Sequence, residues 1–380
     1  MTPPAKPHQS FANRFDDWIF DSYPVSAEQL ALYRILYAGF ALFVIGMQDY
    51  AWIAQLPDAL FLPPFSIAAL FSGLPPEPVL HLFEILLFSL YWALLFGWRT
   101  RAVSVAITLV GVTAESFHLS FGAITHSRHL FLLLPLVMSF SNWGSALSID
   151  ATRRKGAGGT GIETWPITLM SVLLGFAMFT AGFPKLLGGW LDVATPAVRE
   201  KVFYWYFIEQ HRELAGAFIP IDSRVLWELL DWSTVWFEVG FLLAVFRPGA
   251  LRVFSGFAVV FHTMTILMLH IGFTQQLIVY PLFCMPFVRV DASRLDLLRP
   301  LFTPWVAVVL GAGYLALDRA GLPVTLPDVA GWVLSRHLDH PYLLSTLLVH
   351  LAALGIAVGF AAARGRAWWA SRAASRARSS

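Results

Sequence analysis

Lys185 is the residue of this sequence with the clearest potential for acid–base chemistry. It follows an almost uncharged run, 167–183, which reads ITLMSVLLGFAMFTAGF. A helix needs about 20 apolar residues to cross a bilayer, so this run places the Lys185 amine close to one membrane face. In a partly dehydrated pocket, a neutral lysine amine can act as a base. The alternative is an interfacial lysine that anchors the helix end and extends its ammonium group into water.

Further ionisable residues fall inside the apolar segments, where each one costs free energy unless it is paired or functional. They are Arg34, Glu84, Glu115, His118, Glu228, Asp231, Glu238, His262 and His270. Internal pairing is one explanation, for example of Arg34 with a glutamate and of Glu115 with His118. The other explanation is a polar cavity or a proton path inside a helical bundle.

Two more histidines, His126 and His129, lie at the mouth of the fourth predicted span, on the same side as Lys185. The histidines of the chain are dispersed, so we predict no metal site. The single cysteine, Cys284, lies in an apolar stretch and excludes an intrachain disulfide.

The composition places these residues in a helical membrane protein. Hydrophobic residues make up 57% of the 380 residues and charged residues only 13%, with a mean hydropathy of +0.64. A soluble domain of this length is more polar. We therefore expect an all-α fold, a polytopic helical membrane protein with about nine or ten transmembrane helices, and no nucleic-acid partner. The predicted spans are 27–47, 79–97, 102–122, 128–147, 164–185, 225–246, 251–272, 274–290, 302–320 and 342–363.

Basic residues between the spans predict the orientation. If ten spans alternate, the basic clusters all fall on one side, which the positive-inside rule assigns to the cytoplasm together with both termini. Lys185 then faces the periplasm of a bacterial inner membrane. We interpret 1–25 as a cytoplasmic N-terminal segment and 26–364 as the transmembrane domain. Within that domain, 186–224 is predicted to be an extracytoplasmic loop with one or two short helices, and 365–380 follows it as a basic, disordered cytoplasmic tail.

Several segments resemble the vitamin K-dependent gamma-glutamyl carboxylase and the wider horizontally transferred transmembrane (HTTM) family. FTAGFPKLLGGW, which contains Lys185, resembles the segment that carries the carboxylase's catalytic lysine. VVFHTMTILMLHIGFTQQLIVYPLFC resembles its Phe-His-x-Met segment. THSRHLFLLLPLVMSF, with the later SALSID, resembles its His-Ser element and the Ser-hydrophobic-Asp that follows. GWRTRAVS and LYRILYAGF fit the wider family. The resemblance covers about residues 10–300, with the motifs in the family's order.

The resemblance implies a membrane enzyme that uses a lysine base to activate a quinol-like lipid for oxygen-dependent epoxidation or carboxylation. Lys185 would be the initiating base. His126 would hold the quinol oxygen or orient the base, with His129 as the alternative, and His262 would lie near the quinol ring. The cofactor would be vitamin K hydroquinone or another quinol. The expected partners are a quinone-like lipid, membrane lipids and a small peptide or lipidic substrate.

Three departures from the family pattern bear on the reaction. The family's paired lysines correspond here to Pro184-Lys185, and the asparagine expected after Phe-His-x-Met is Thr265. No counterpart of the lumenal domain with which the animal carboxylase holds its protein substrate follows the last predicted span. Recognition of a propeptide-bearing protein is therefore not expected. The second hypothesis is a non-catalytic lipid-binding or transport membrane protein, and the third is a structural accessory to peptide maturation.

Overall fold

A computed structural model describes residues 11–121, 128–154, 161–210, 215–334 and 341–379. Within these ranges the chain consists of α-helices joined by loops and short 3-10 and π-helical turns, and it contains no β-strand. The predicted all-α fold class is therefore confirmed.

The α-helices are numbered in chain order over the described residues. They are α1 (Phe11–Asp21), α2 (Ala27–Gly39), α3 (Glu77–Phe96), α4 (Thr100–His118), α5 (His129–Met138), α6 (Ile149–Arg153), α7 (Trp165–Leu187), α8 (Ala197–Phe203), α9 (Arg224–Ala244), α10 (Pro248–Leu269), α11 (Thr274–Leu277), α12 (Ala292–Leu298), α13 (Pro304–Arg319), α14 (Leu326–Leu334) and α15 (Pro341–Ser379). A π-helical turn, Phe40–Ile45, continues α2.

Within the described ranges, five helical segments are long and apolar enough to cross a membrane. They are α2 with its π-helical continuation, α3, α7, α10 and the part of α15 that spans Leu344–Arg366. The pair Ser293–Leu301 and Pro304–Arg319 is bent by 69° and adds a sixth candidate if it forms one broken span. These segments confirm a polytopic helical membrane protein.

The candidate spans are fewer than the nine or ten predicted. The predicted span 128–147 contains only the ten-residue α5 followed by turns, and 274–290 contains α11 followed by the 3-10 helix Tyr280–Phe287. Pro281 and Pro286 lack the N–H groups that an α-helix requires, which explains the irregular backbone of the second segment. Neither segment forms the single spanning helix that was predicted for it, so both predictions are wrong. α4 and α9 have 19 and 21 residues, which is long enough to span, but both carry charged residues.

α7 and α9 make the most extensive helix–helix contact of the described chain. Gly175 and Gly182 lie seven residues apart on the side of α7 that faces α9. A Cβ atom on Gly182 would lie 2.6 Å from the Cβ of Glu238, and one on Gly175 would collide with Val245. Earlier positions in α7 thus meet later positions in α9, so the helices are antiparallel. Small residues at such an interface allow two helix backbones to approach closely.

The connection between α7 and α9 carries short helices, as predicted for 186–224. The buried Asp231 of α9 accepts hydrogen bonds from the backbone N–H groups of Ala197 at 2.9 Å and Val198 at 2.7 Å. These N–H groups open α8 and have no acceptor within that helix. Asp231 therefore fixes the start of α8 to the side of α9.

Asp231→Ala is expected to release α8 and to destabilise the protein by about 2 kcal/mol, because two backbone donors lose a charged acceptor. Limited proteolysis of the protein in nanodiscs measures the release as faster cleavage within 186–224. Asp222→Ala is the matched control, since Asp222 is exposed and forms an ion pair with Arg199 at 3.0 Å. Equal cleavage rates for Asp231→Ala and the wild type would show that this contact does not hold α8.

Asp150 and Arg34 organise the opposite end of the bundle. The Asp150 carboxylate accepts hydrogen bonds from the backbone N–H groups of Arg99 at 2.9 Å and Thr100 at 2.7 Å, at the start of α4. Arg34 is fully buried and donates from Nη2 to the carbonyl oxygen of Leu147. The predicted pairing of Arg34 with a glutamate is therefore wrong, because a backbone carbonyl takes that place.

Hydrogen bonds between segments that are distant along the chain bring two further loops with basic residues to the end of the bundle that contains Asp150 and Arg34. Trp18 of α1 donates to the carbonyl oxygen of Val245 at 3.3 Å, just before the basic connection between α9 and α10. Gln29 of α2 donates to the carbonyl oxygen of Val288 at 2.9 Å, next to a further arginine. The segments that contain Arg247 and Arg289, two of the basic residues between the predicted spans, therefore lie beside α1 and α2.

The C-terminal segment is helical where the sequence suggested disorder. α15 continues without a break to Ser379, so the described part of 365–380 belongs to a helix. Near the last apolar turn of α15, the Arg364 guanidinium carbon lies 4.1 Å from the centre of the Phe287 ring. A cation at this distance is attracted to the ring face. The contact holds α15 against the 3-10 helix Tyr280–Phe287.

Candidate functional site

Lys185 forms a short ion pair with Glu238. The Lys185 Nζ atom lies 2.6 Å from both carboxylate oxygens of Glu238. Glu238 is the more enclosed partner, with 4% of its side chain exposed against 25% for Lys185. The ammonium group thus has one side covered by a buried carboxylate, while part of the lysine side chain is exposed.

The two helices position the pair through their local sequences. Lys185 lies in the last turn of α7, where the negative end of the helix dipole favours a positive charge. Gly182, one turn earlier, has no side chain to separate α7 from Glu238. Glu238 therefore packs against the α7 backbone, directly beneath the lysine side chain.

Trp190 covers a further side of the ammonium group. After α7 ends, the chain turns at Gly189, whose φ of +83° lies in the left-handed region that favours glycine. The turn brings the Trp190 N–H to 3.3 Å from the Lys185 carbonyl oxygen. The Trp190 ring centre then lies 5.2 Å from Nζ, within the range of a cation–π contact. This contact restricts where the lysine side chain can move.

An enclosed ammonium–carboxylate pair can transfer a proton over a short distance. Charge-assisted hydrogen bonds are short and strong, and the exclusion of water strengthens the attraction between the charges. The neutral form of a lysine amine is the one that accepts a proton from a third group, and Glu238 is the nearest carboxylate to which Lys185 donates. The arrangement therefore places a candidate base in contact with a candidate proton acceptor.

Glu238 is the candidate site residue to which the sequence assigned no role. Its position inside a predicted span marked it as unusual, but nothing in its neighbourhood along the chain indicated Lys185 as its partner. The available signal was the combination of Gly182 and a basic residue in one helix with internal carboxylates, Asp231 and Glu238, in the next long helix. The rotation of the two helices, which the sequence does not state, decides whether these groups meet.

His262 lies in a separate buried cluster. Its Nε2 atom shares a 2.7 Å hydrogen bond with the Tyr280 hydroxyl, and its ring centre lies 4.4 Å from that of Phe273. Gln276 donates to the Met178 sulfur at 3.7 Å, which ties this region to α7. The cluster is built around Tyr280 and not around the Lys185–Glu238 pair. The position of His262 beside a quinol ring stays a prediction.

The two histidines predicted at the mouth of the fourth span differ in what the structure describes. His126 lies outside the described residues, and His129 is an exposed residue at the start of α5. Beside it, Arg128 forms a 3.0 Å ion pair with Glu115. The second oxygen of Glu115 lies 3.4 Å from His118 Nδ1. The predicted pairing of Glu115 with His118 is thus confirmed, and Arg128 adds a third member.

Two cavities lie next to Arg128. The larger has a volume of about 330 Å³ and the smaller of about 50 Å³. They share a wall formed by Arg128, Gln275 and residues 45–48. Lys185 lines neither of them, so these cavities and the acid–base pair are distinct features of the bundle.

Comparisons with known proteins find no relative: no protein-family model, no curated protein and no solved structure matches this chain. Over the ranges that the structure describes, no group of three His, Cys, Asp or Glu side chains converges on a position for a metal ion. The geometry of the Lys185–Glu238 pair is therefore the strongest functional indication in the described part of the molecule.

Proposed function

We propose that this chain is an integral membrane enzyme in which Lys185 and Glu238 act as base and proton acceptor on a quinol-like lipid. The observation that carries the proposal is the 2.6 Å contact of Nζ with both carboxylate oxygens at the end of a spanning helix. A lysine that serves only as an anchor extends into water, whereas this one turns toward a buried carboxylate. The resemblance to the vitamin K-dependent carboxylase and the HTTM family, in which a lysine base occupies this position, supports the same role.

Lys185 begins the proposed reaction by taking a proton from a substrate hydroxyl group. Its amine must be neutral to do so, and Glu238 is positioned to hold the proton that Lys185 gives up. The hydroxyl group loses one proton, Lys185 gains it, and Glu238 carries the one that Lys185 released. When bound, a quinol supplies the electrons for oxygen-dependent epoxidation or carboxylation.

The surroundings of the pair fit a flat lipidic ring. Trp190 presents an aromatic face 5.2 Å from Nζ. A quarter of the Lys185 side chain is exposed, so the pair is not sealed inside the bundle. Vitamin K hydroquinone or another quinol is the cofactor class that we propose. His262, and either His126 or His129, are the proposed residues that position it.

The proposed setting is a bacterial inner membrane with both termini in the cytoplasm. The basic connections lie at the end of the bundle opposite Lys185, where Asp150 joins the start of α4 and Trp18 joins the end of α9. By the positive-inside rule that end is cytoplasmic. The Lys185–Glu238 pair would then face the periplasm, and its partners would be quinone-like and membrane lipids with a small peptide or lipidic substrate.

Purified protein in nanodiscs tests the proposal through oxygen-dependent consumption of vitamin K hydroquinone, with menaquinol and ubiquinol as parallel substrates. We expect turnover of at least one quinol by the wild type. Lys185→Arg should lower the rate about 10²–10⁴-fold, because guanidinium can keep the ion pair but cannot release its proton at any usable pH. Lys201→Arg, on the exposed side of α8, is the matched control and should keep the wild-type rate.

The outcomes separate the hypotheses. Equal rates for Lys185→Arg and the wild type would show that only the positive charge matters, as for an anchor. No consumption of any of the three quinols by the wild type would favour the alternative function, a non-catalytic lipid-binding or transport protein.

A further inference from the structure

Two arginines share one aromatic ring at the end of the bundle opposite the Lys185–Glu238 pair. The guanidinium carbons of Arg252 and Arg364 lie 4.5 Å and 4.1 Å from the centre of the Phe287 ring. Arg252 belongs to the first turns of α10, and Arg364 lies near the last apolar turn of α15. The fold therefore places two positive charges from distant segments close together, at a site that takes no part in the proposed reaction.

The two arginines lie at the same end of two antiparallel candidate spans. The start of α10 meets the end of α15 at the Phe287 ring. Just beyond the other end of α10, a Cβ atom on Gly272 would lie 3.1 Å from the side chain of Thr346, near the start of α15. Arginines at the ends of spanning helices lie at the depth of the lipid headgroups. We therefore expect both guanidinium groups to meet the headgroup layer of the membrane.

Within the described ranges, no carboxylate neutralises either guanidinium group. Arg364 lies close enough to Arg252 for the two positive charges to repel each other. Arg299, in the connection after the 3-10 helix Tyr280–Phe287, differs because it pairs with Asp296 at 3.0 Å. Two like charges without a counter-ion cost free energy, and an anion bound beside them would offset that cost.

Contacts on several sides hold Arg252 in place. Its Nε atom donates to the carbonyl oxygen of Phe283 at 2.8 Å, and its guanidinium carbon lies 5.5 Å from the centre of the ring of the buried Tyr23. Among the described residues, the terminal nitrogen atoms of Arg252 and of the exposed Arg364 have no hydrogen-bond acceptor. Guanidinium groups bind phosphate oxygens through paired N–H donors. The terminal nitrogen atoms of both side chains can therefore donate to a phosphate group.

The surface of α15 favours a lipid as the source of that phosphate. Only 11% of the apolar window of α15 is buried, against 50% of the window of α10. Most of α15 therefore faces the hydrocarbon of the bilayer, and an acyl chain can lie along it while the headgroup reaches both arginines. We propose that Arg252 and Arg364 bind the phosphate of an anionic membrane phospholipid, which joins the end of α15 to α10.

Native mass spectrometry of the full chain in detergent measures lipid binding, with phosphatidylglycerol as the probe. We expect phosphatidylglycerol to bind at least about 10-fold more tightly than phosphatidylcholine with the same acyl chains, whose choline group neutralises the phosphate charge. Arg252→Gln and Arg364→Gln should each weaken the binding of phosphatidylglycerol about 10-fold, because each removes one guanidinium donor. Arg299→Gln is the matched control. It removes the same charge from an exposed arginine that already has a carboxylate partner, and it should leave the affinity unchanged.

The Arg364→Gln variant keeps the test decisive even if Arg252→Gln fails to fold, because Arg364 is exposed. Lys185→Arg should keep the wild-type affinity for phosphatidylglycerol, so the test is independent of the proposed enzyme activity. Equal affinities for the two lipids, unchanged binding in Arg364→Gln, or equal weakening by Arg299→Gln and Arg364→Gln would each overturn the proposal. Displacement of the lipid by the same concentration of glycerophosphoglycerol, its headgroup without acyl chains, would assign the site to a soluble anion and would also overturn it.

Discussion

Lys185→Ala is expected to destabilise the bundle by about 3 kcal/mol and to lower quinol turnover about 10²–10⁴-fold. Removal of the ammonium group leaves Glu238 as a buried carboxylate without its partner, and breaking a buried ion pair in this way costs about 3–5 kcal/mol. The lower value applies because a quarter of Lys185 is exposed. The midpoint of SDS-induced unfolding in mixed micelles measures the change in stability.

Adding Glu238→Gln to Lys185→Ala separates the structural role of the pair from its chemical role. The double variant has no uncompensated carboxylate, so we expect it to recover about 2 kcal/mol relative to Lys185→Ala. Its turnover should stay at the level of the single variant, because no amine is present to accept the hydroxyl proton. Recovery of stability without recovery of turnover would assign the loss of turnover to the missing Lys185–Glu238 pair and not to the lower stability of the bundle.

Two results would contradict this account. An unchanged unfolding midpoint in Lys185→Ala would show that Glu238 reaches water or another cation. Retained quinol turnover in Lys185→Ala would remove Lys185 from the role of base, whatever its effect on stability.

Gly182→Val is expected to force α7 and α9 apart and to reduce turnover about 100-fold. A Cβ atom at this position would lie 2.6 Å from the Glu238 Cβ and 3.0 Å from the Val239 backbone nitrogen, and valine adds two methyl groups beyond it. Overpacking of this kind costs about 1–3 kcal/mol, and more where backbone must move. A displacement of about 1 Å at a catalytic group can cost about 100-fold in rate. The unfolding midpoint and the quinol assay measure the two effects.

Gly240→Ala is the matched control for this substitution. It changes a glycine of α9, where the added Cβ would lie at an ordinary 3.5 Å from the Phe254 ring. We expect unchanged turnover and a stability equal to the wild type or up to about 1 kcal/mol higher, because alanine favours helix over glycine. If Gly182→Val behaved like Gly240→Ala, the two helices would have to lie farther apart than in the structure.

The sequence by itself determined the class of the protein and the positions of its most apolar helices. The predicted spans 27–47, 79–97, 164–185 and 251–272 correspond to α2, α3, α7 and α10. Whether an uninterrupted apolar segment enters lipid depends mainly on the composition of that segment. The apolar run 167–183 ends just before Lys185, so the sequence also predicted that Lys185 lies at the end of α7.

Apolar composition gave wrong predictions of spanning helices for segments that are covered by protein instead of lipid. The segments 128–147 and 274–290 are apolar enough to be predicted as spans, yet they fold as short helices and turns. Irregular backbone of this kind is compatible with a membrane protein when neighbouring helices surround it. Hydropathy measures only the preference for an apolar environment, and it does not state whether lipid or protein supplies that environment.

Only the tertiary structure decided which polar groups meet. Glu238 lies 53 positions from Lys185, and Leu147 lies 113 positions from Arg34. Each contact depends on how the two helices are rotated and how far apart they lie. All of the side chains along an interface determine this geometry together, as Gly182 shows for α7 and α9. Hydropathy is a property of one segment, whereas a partner is a property of two packed segments. For this reason the lysine could be found from the sequence, and its carboxylate could not.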